Sequence, residues 1–194
     1  VKGWRAGDRV TAESACSCDE CYWCTRGEIG LCETLLERWG ASAGGFATYT
    51  KTKYQQLHKL PPGLSYEEAT IAEPTAVALH AVRLSGMLTG DVVAVLGLGP
   101  IGQLVARLAR ISGARAVYAS ETSKSRIKLA KGAVDEVIDA KKVDPAARIL
   151  ELTDGRGPDL VFECAGAVAP TMQAMTMTRK GGTIVIVGVC MNLG

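Results

Sequence analysis

The sequence predicts an α/β fold: a doubly wound parallel sheet joined to a smaller β-rich lobe that carries a metal loop. Three observations predict it. From residue 92 onward short apolar runs alternate with helical patterns, and the runs are apolar throughout, as strands covered on both faces are. A glycine-rich turn, "VLGLGPIG", follows the first run. Five of the seven cysteines crowd into "SACSCDECYWCTRGEIGLC", residues 14–32.

Taken in order, the text up to about Pro62 is short and turn-rich: "GWRAGDRVTAES", the cysteine loop, "GASAGGFATYTKT" and "YQQLHKLPPGLS". It predicts a lobe of strands and long loops, with His58 as an exposed strand residue. At Ser65 the pattern changes. Ser65 with Glu68 three residues later forms a capping box, and Pro74 is expected to break or kink the helical stretch into one short and one longer helix. After "TGD", residues 92–97 (VVAVLG) form a β-branched strand and "LGPIGQLVARLARISG" a helix. Then "RAVYASE", "VDEVIDA", "PDLVFECAG" and "TIVIVGV" read as strands, separated by helices at "SKSRIKLAKG", "DPAARILELTDG" and "APTMQAMTMTRKGG". The expected division is a lobe over residues 1–72, with its metal loop at 16–32, and a sheet domain over 73–194.

The chain has 194 residues, of which 47% are hydrophobic and 22% charged, and its net charge is +2. That balance supplies a core but no pull toward nucleic acid or anionic lipid, and the apolar runs are too short and glycine-broken to span a bilayer. No partner of either kind is expected. The chain begins at Val1 without a secretory pattern, so a reducing cytoplasm is expected, the cysteines favour metal over disulfides, and the chain reads as a fragment.

In "VVAVLGLGPIGQL" the residues Gly97, Gly99 and Gly102 form G-x-G-x-x-G between strand and helix. There the first glycine permits the tight turn, the second lets backbone approach a pyrophosphate, and the third lets helix pack on strand. Pro100 suits the first helical turn, which needs no N–H. Glu121 ends the next strand, about twenty residues on, where an acid accepts ribose hydroxyls. Its charge opposes a 2′-phosphate and favours NAD over NADP, although Lys124 and Arg126 follow closely.

Cys18, Cys21 and Cys24 are spaced by three, and Cys32 follows. Rings closed by neighbours three apart restrain the unfolded chain little, so disulfides fit poorly. Four thiolates from one loop suit a closed tetrahedral zinc site. An iron–sulfur cluster competes, but Cys32 is followed by Glu33 and not by the proline of ferredoxin-type runs. Cys16 is expected to stay outside the metal shell.

The order "GDRV", C-x2-C-x2-C-x7-C, "GGFATYT", "LPPGLSYEEAT", "EP", "GLGPIGQL", "GPDLVFECAG", "RKGGTIVIVG" resembles the zinc-containing medium-chain dehydrogenase/reductase superfamily, alcohol dehydrogenase type. The "EP" pair resembles its polyol and threonine dehydrogenase branch. The resemblance implies part of a GroES-like catalytic domain, a Rossmann coenzyme domain, a homo-oligomer (dimer or tetramer), and hydride transfer from a secondary alcohol to NAD at a catalytic zinc. It implies that Glu73 ligates or adjoins that zinc, while a cysteine and a His-Glu pair lie upstream of Val1 and the last strands beyond Gly194. The fragment alone is then expected to be inactive. It implies that Gly97, Gly99, Pro100, Ile101 and Gly102 hold the pyrophosphate, Glu121 the ribose and Arg126 the adenine. The backbone near Cys164 to Gly166 and Gly188 to Val189 would border the nicotinamide. Glu73 lies in an apolar stretch, where an acid needs a cation or a hydrogen-bond partner. His80 is expected in the core or an interface. Two departures from the family stand out: "KLAKGAVDEV" is about two residues short, and Asp19 stands where glycine is usual. The alternatives are an NAD-binding module without catalysis and an iron–sulfur protein.

Overall fold

The structure, a computed structural model, describes residues 3–13, 17–35 and 44–190. The chain divides into two compact units, Val1–Glu73 and Pro74–Gly194.

In the first unit β1 (Val10–Ala12) pairs antiparallel with β2 (Leu57–Lys59), placing Thr11 opposite an exposed His58. The lobe is less β-rich than its turn-laden sequence suggests: among the described residues these are its only strands, and 3-10 turns occupy Cys24–Arg26, Ile29–Leu31 and Tyr54–Gln56. Long side chains do much of the tying. Arg9 donates to the Leu64 carbonyl (2.5 Å) with its guanidinium 4.4 Å over the Tyr66 ring, and Lys53 Nζ donates to the Ser17 carbonyl (3.2 Å).

Helix α1 (Tyr66–Ala69) starts with the expected box: the Glu68 N–H donates to Ser65 Oγ (3.1 Å) and the Ser65 N–H to Glu68 Oε2 (2.9 Å). The break before α2 (Ala72–Leu84) falls at residues 70–71, ahead of Pro74 and not at it. Pro74 is the third residue of α2, within the first turn, where a backbone N–H has no intrahelical acceptor and its loss costs nothing.

The second unit is a five-stranded parallel sheet ordered β5 (Glu136–Asp139), β4 (Ala116–Glu121), β3 (Val92–Leu96), β6 (Leu160–Glu163), β7 (Thr183–Ile186). Between these strands run α3 (Pro100–Ile111), α4 (Lys124–Leu129), α5 (Pro145–Leu152) and α6 (Val168–Met177). Every residue of β3 and β6 is buried, which is why both read as unbroken apolar runs. The pleat still sorts them: Val93, Val95 and Phe162 pack with Ala78, Val82, Val105 and Ala109 of α2 and α3. Ala94, Leu96 and Val161 meet Ala146, Ile149, Ala174 and Met177 of α5 and α6 on the other face. Edge strand β7 is partly exposed.

Asp159 fastens the N-terminal end of this sheet. It accepts from the Val92 N–H (2.7 Å) and from Arg179 Nε (2.5 Å). Successive strands run outward to β5 on one side of β3 and to β7 on the other, so the order reverses between β3 and β6, and a crevice opens beyond their carboxyl ends.

Candidate functional site

The crevice is built from the turn after β3. Gly97 has φ 91°, and a Cβ on it would stand 2.9 Å from the Cα of Ala165. Gly102, in the first turn of α3, lies so close to that turn that a Cβ would stand 1.9 Å from the Gly97 carbonyl oxygen. Between them Gly99 caps α3, and a Cβ there would meet nothing within 4 Å. The loop is thus crowded against the protein at Gly97 and Gly102 and open only at Gly99, beside the free N–H groups of a twelve-residue helix that starts at Pro100. The Ile101 side chain packs against the core, which leaves its backbone N–H for this surface.

Glu121 faces the loop from the end of β4 and is 6% exposed. It accepts from the N–H groups of Leu98 (2.9 Å), Thr122 (2.6 Å) and Ser123 (2.9 Å). Burial alone would raise its pKa, but the Ser123, Thr122 and Leu98 N–H groups outweigh that and hold it below the ordinary carboxylate range. Arg126 Nη1 stands 3.7 Å away, half exposed. The resulting cleft of about 230 Å³ is lined by Gly97, Gly99, Glu121, Arg126, Cys164 and Gln173, among others. Its floor can take an anion at Gly99 and its side can accept hydroxyls at Glu121, which suits the adenosine and pyrophosphate of a dinucleotide. Burial and then the neighbouring Glu163 push the Cys164 thiol up to about 12, so it lines the wall as a neutral group. Gly166 (φ 66°) and Val189 lie against each other farther along: a Cβ on Gly166 would stand 2.6 Å from the Val189 carbonyl oxygen.

In the lobe, the Sγ atoms of Cys18, Cys21, Cys24 and Cys32 all lie within 4.8 Å of one another. Tetrahedral zinc at about 2.3 Å from each sulfur sets sulfurs about 3.8 Å apart; Cys18 to Cys24 is 3.8 Å and Cys21 to Cys24 is 3.5 Å. The backbone favours the thiolate at Cys32 and Cys21. Against burial, the Cys18 and Thr34 N–H groups bring Cys32 down to about 6, and the Cys24 and Glu33 N–H groups lower Cys21. Burial and the Cys21 sulfur push Cys24 up to about 12, since four thiolates cannot sit together without a cation. The donor set fits zinc. Asp19 explains the unusual loop residue: its φ of 67° is the left-handed conformation that makes glycine usual there, and Asp tolerates it better than most side chains. Ser17 Oγ (2.5 Å) and Lys53 Nζ (3.4 Å) secure its carboxylate. Cys16 lies outside the described residues.

A family model described as alcohol dehydrogenase GroES-like domain matches residues 1–62, and one described as zinc-binding dehydrogenase matches residues 100–193. The chain belongs to the zinc-binding alcohol dehydrogenase family. A family member from Halalkalibacterium halodurans, a sorbitol dehydrogenase, is 38% identical over 191 residues, covering 97% of this chain and 56% of the relative. An L-threonine 3-dehydrogenase from Bacillus licheniformis is 36% identical over 182 residues, covering 93% and 52%. The crystal structure of a zinc-binding dehydrogenase from Sinorhizobium meliloti bound to NADP superposes with a TM-score of 0.88 at 32% identity, covering 100% of this chain and 58% of that one. The chain therefore spans about half the length of the relatives it matches.

Glu73 and His80, also considered in the sequence, are not among the residues that line the cleft. Glu73 is exposed in the first turn of α2, so the apolar text around it does not bury it and desolvation gives it no need of a partner in this chain. His80 is exposed on the same helix and is not a core residue, because α2 turns Ala78, Ala81 and Val82 inward and His80 away from them. Two residues went unmarked. Gln103 Nε2 donates to the Arg126 carbonyl (3.0 Å), linking α3 to α4, and Glu163 at the end of β6 is a buried acid bonded to the turn after it. Gln103 is a single polar residue one step past the last glycine of the motif, and nothing in the spacing of α3 sets it apart.

Proposed function

We propose that this chain carries the coenzyme cleft and the structural zinc lobe of a zinc-dependent dehydrogenase that passes hydride from a secondary alcohol of a polyol, sugar or threonine-like substrate to NAD. The carrying observation is the pairing of an open Gly99, at the start of α3, with a buried, low-pKa Glu121 facing the same loop. In this reading the N–H groups of Gly99, Ile101 and Gly102 hold the pyrophosphate, with Gly97 and Pro100 shaping the turn, Glu121 accepts from the adenosine ribose, and Arg126 covers the adenine. Gly166 and Val189 border the nicotinamide. The Glu121 carboxylate repels a 2′-phosphate and favours NAD; Arg126 beside it softens the preference, in keeping with a relative solved with NADP.

Cys18, Cys21, Cys24 and Cys32 would hold a zinc that braces the lobe and has no open position for substrate. Glu73 is assigned to the catalytic zinc, which when bound polarises the alcohol oxygen; its exposure in α2 leaves it free to face groups outside this chain. Self-association into a dimer or tetramer and a cytoplasmic setting belong to the same proposal; no helix among the described residues is long and apolar enough to cross a membrane.

The test is calorimetric titration of the chain with NADH and NADPH, with NAD reduction by the full-length protein over polyols, sugars and threonine. Micromolar NADH binding weakened by Glu121→Ala, with turnover of at least one such alcohol, is expected. Failure of NADH and NADPH alike to bind overturns the proposal.

A further inference from the structure

Glu163 closes β6 and is 1% exposed, yet no ion pair reaches it among the described residues. A carboxylate buried without a cation costs stability that an apolar side chain of the same volume would not. Packing alone therefore does not explain it. Its hydrogen bonds do: Oε1 accepts from the N–H groups of Ala165 (2.8 Å) and Gly166 (2.9 Å), and its main-chain oxygen accepts from those of Val187 and Gly188 (both 2.8 Å). Its other side-chain oxygen abuts Gly188, where a Cβ would stand 2.6 Å from Oε2 and 2.2 Å from the Gly166 nitrogen. Two turns, one leaving β6 and one leaving β7, are thus stacked on a single carboxylate with no room for a side chain between them.

These turns lie on the far side of β3 from Glu121, since β4 and β6 flank β3. Cys164 and Ala165, at the start of the first turn, line the cleft. A dinucleotide laid across the crevice with its adenosine at Glu121 and its pyrophosphate at Gly99 directs its other half toward them. We propose that Glu163 is a positioning residue for the nicotinamide half of the coenzyme: its reach across Ala165 and Gly166 sets the wall on which that half rests. This rests on the dinucleotide reading of the cleft.

The geometry makes reach, and not charge, the operative property. Glutamine keeps the length and one acceptor oxygen for both N–H groups, whereas aspartate keeps the charge but is one methylene too short to serve both. The experiment titrates the chain and its Glu163→Gln, Glu163→Asp and Glu163→Ala variants with NADH and with ADP-ribose, which lacks the nicotinamide. Circular dichroism and zinc content check folding. Asp and Ala are expected to weaken NADH about tenfold, as loss of one to two backbone hydrogen bonds implies, while ADP-ribose binding stays unchanged and Gln resembles the parent. If Asp and Ala weaken both ligands equally, or neither, or if Gln fails as badly as Asp, the inference is overturned. Where Ala does not fold, Asp and Gln decide it. If the parent binds neither ligand, the dinucleotide reading itself fails, an outcome distinct from these.

Discussion

Alanine at Gly99 and at Gly102 should separate coenzyme binding from stability. At Gly99 a new Cβ meets nothing within 4 Å and φ is −63°, so the folded state accommodates alanine without strain. Such a change lowers unfolded-state entropy by the equivalent of about 0.4–1 kcal/mol, which the poorer N-cap that alanine makes offsets, so stability should stay within about 1 kcal/mol of the parent. At Gly102 the Cβ would stand 1.9 Å from the Gly97 carbonyl oxygen, a contact that has to open by about 1 Å or more. Overpacking of this kind costs about 1–3 kcal/mol, or a fall of roughly 2–12 °C in Tm for a chain this long. Binding should respond the other way round in proportion. Gly99→Ala places its methyl where the pyrophosphate would approach the α3 N–H groups, and loss of charge-assisted bonds worth about 1.5–3 kcal/mol weakens NADH roughly 10- to 150-fold. Differential scanning fluorimetry and NADH titration on the same samples read both quantities. The reasoning is refuted if Gly99→Ala binds NADH like the parent, or if Gly102→Ala melts no lower than Gly99→Ala.

Cys24, within 3.8 Å of both Cys18 and Cys21, should be indispensable to metal retention: Cys24→Ser should drop zinc from about one per chain to a small fraction, read by atomic emission on a colourless sample. The Glu121, Asp135, Glu136 and Asp159 carboxyls all have pKa values lowered below their ordinary 4.5 (Glu) or 3.8 (Asp). A lowered folded-state value contributes stability above the unfolded pKa that is lost as pH falls, so the share of the urea midpoint that these carboxyls supply should hold from pH 8 to about 6 and decline below about 5. Asp159→Asn should make that decline shallower. Asp159→Ala strands the N–H of a fully buried Val92 and removes the partner of Arg179, and should cost about 2–4 kcal/mol in urea unfolding.

Much of the sheet unit was legible because its strands are buried on both faces: Val92–Leu96 and Leu160–Glu163 carry no solvent face to confuse the pattern. The glycine loop was legible for a similar reason, since Gly97 and Gly102 answer steric demands that no other residue meets. The lobe was harder to read. Its two three-residue strands leave shape to side-chain ties such as Arg9 with Tyr66 and Lys53 with Ser17, contacts between residues far apart in sequence that carry no period. The exposure of Glu73 and His80 was not legible, because apolar neighbours along a helix say nothing of which way one residue faces; with Ala78, Ala81 and Val82 turned to the core, both lie outside it.

Glu121 and Glu163 show where the limit falls. Both are buried acids at the ends of parallel strands, one on each side of β3, and each accepts the N–H groups of the turn that follows it. In the sequence Glu121 is conspicuous, because it comes at a known distance after a glycine loop. Glu163 has no such marker, and "PDLVFECAG" reads as a strand like its neighbours. What distinguishes it exists only once β7 is laid beside β6 and Gly188 comes up against Gly166. If Glu121 meets the adenosine ribose, its counterpart across β3, 1% exposed and bonded to the N–H groups of Ala165 and Gly166, acts in our proposal through that backbone, which a coenzyme would touch. A mechanism built only from residues that contact ligand would omit it, and the contrast between NADH and ADP-ribose binding is what brings it into view.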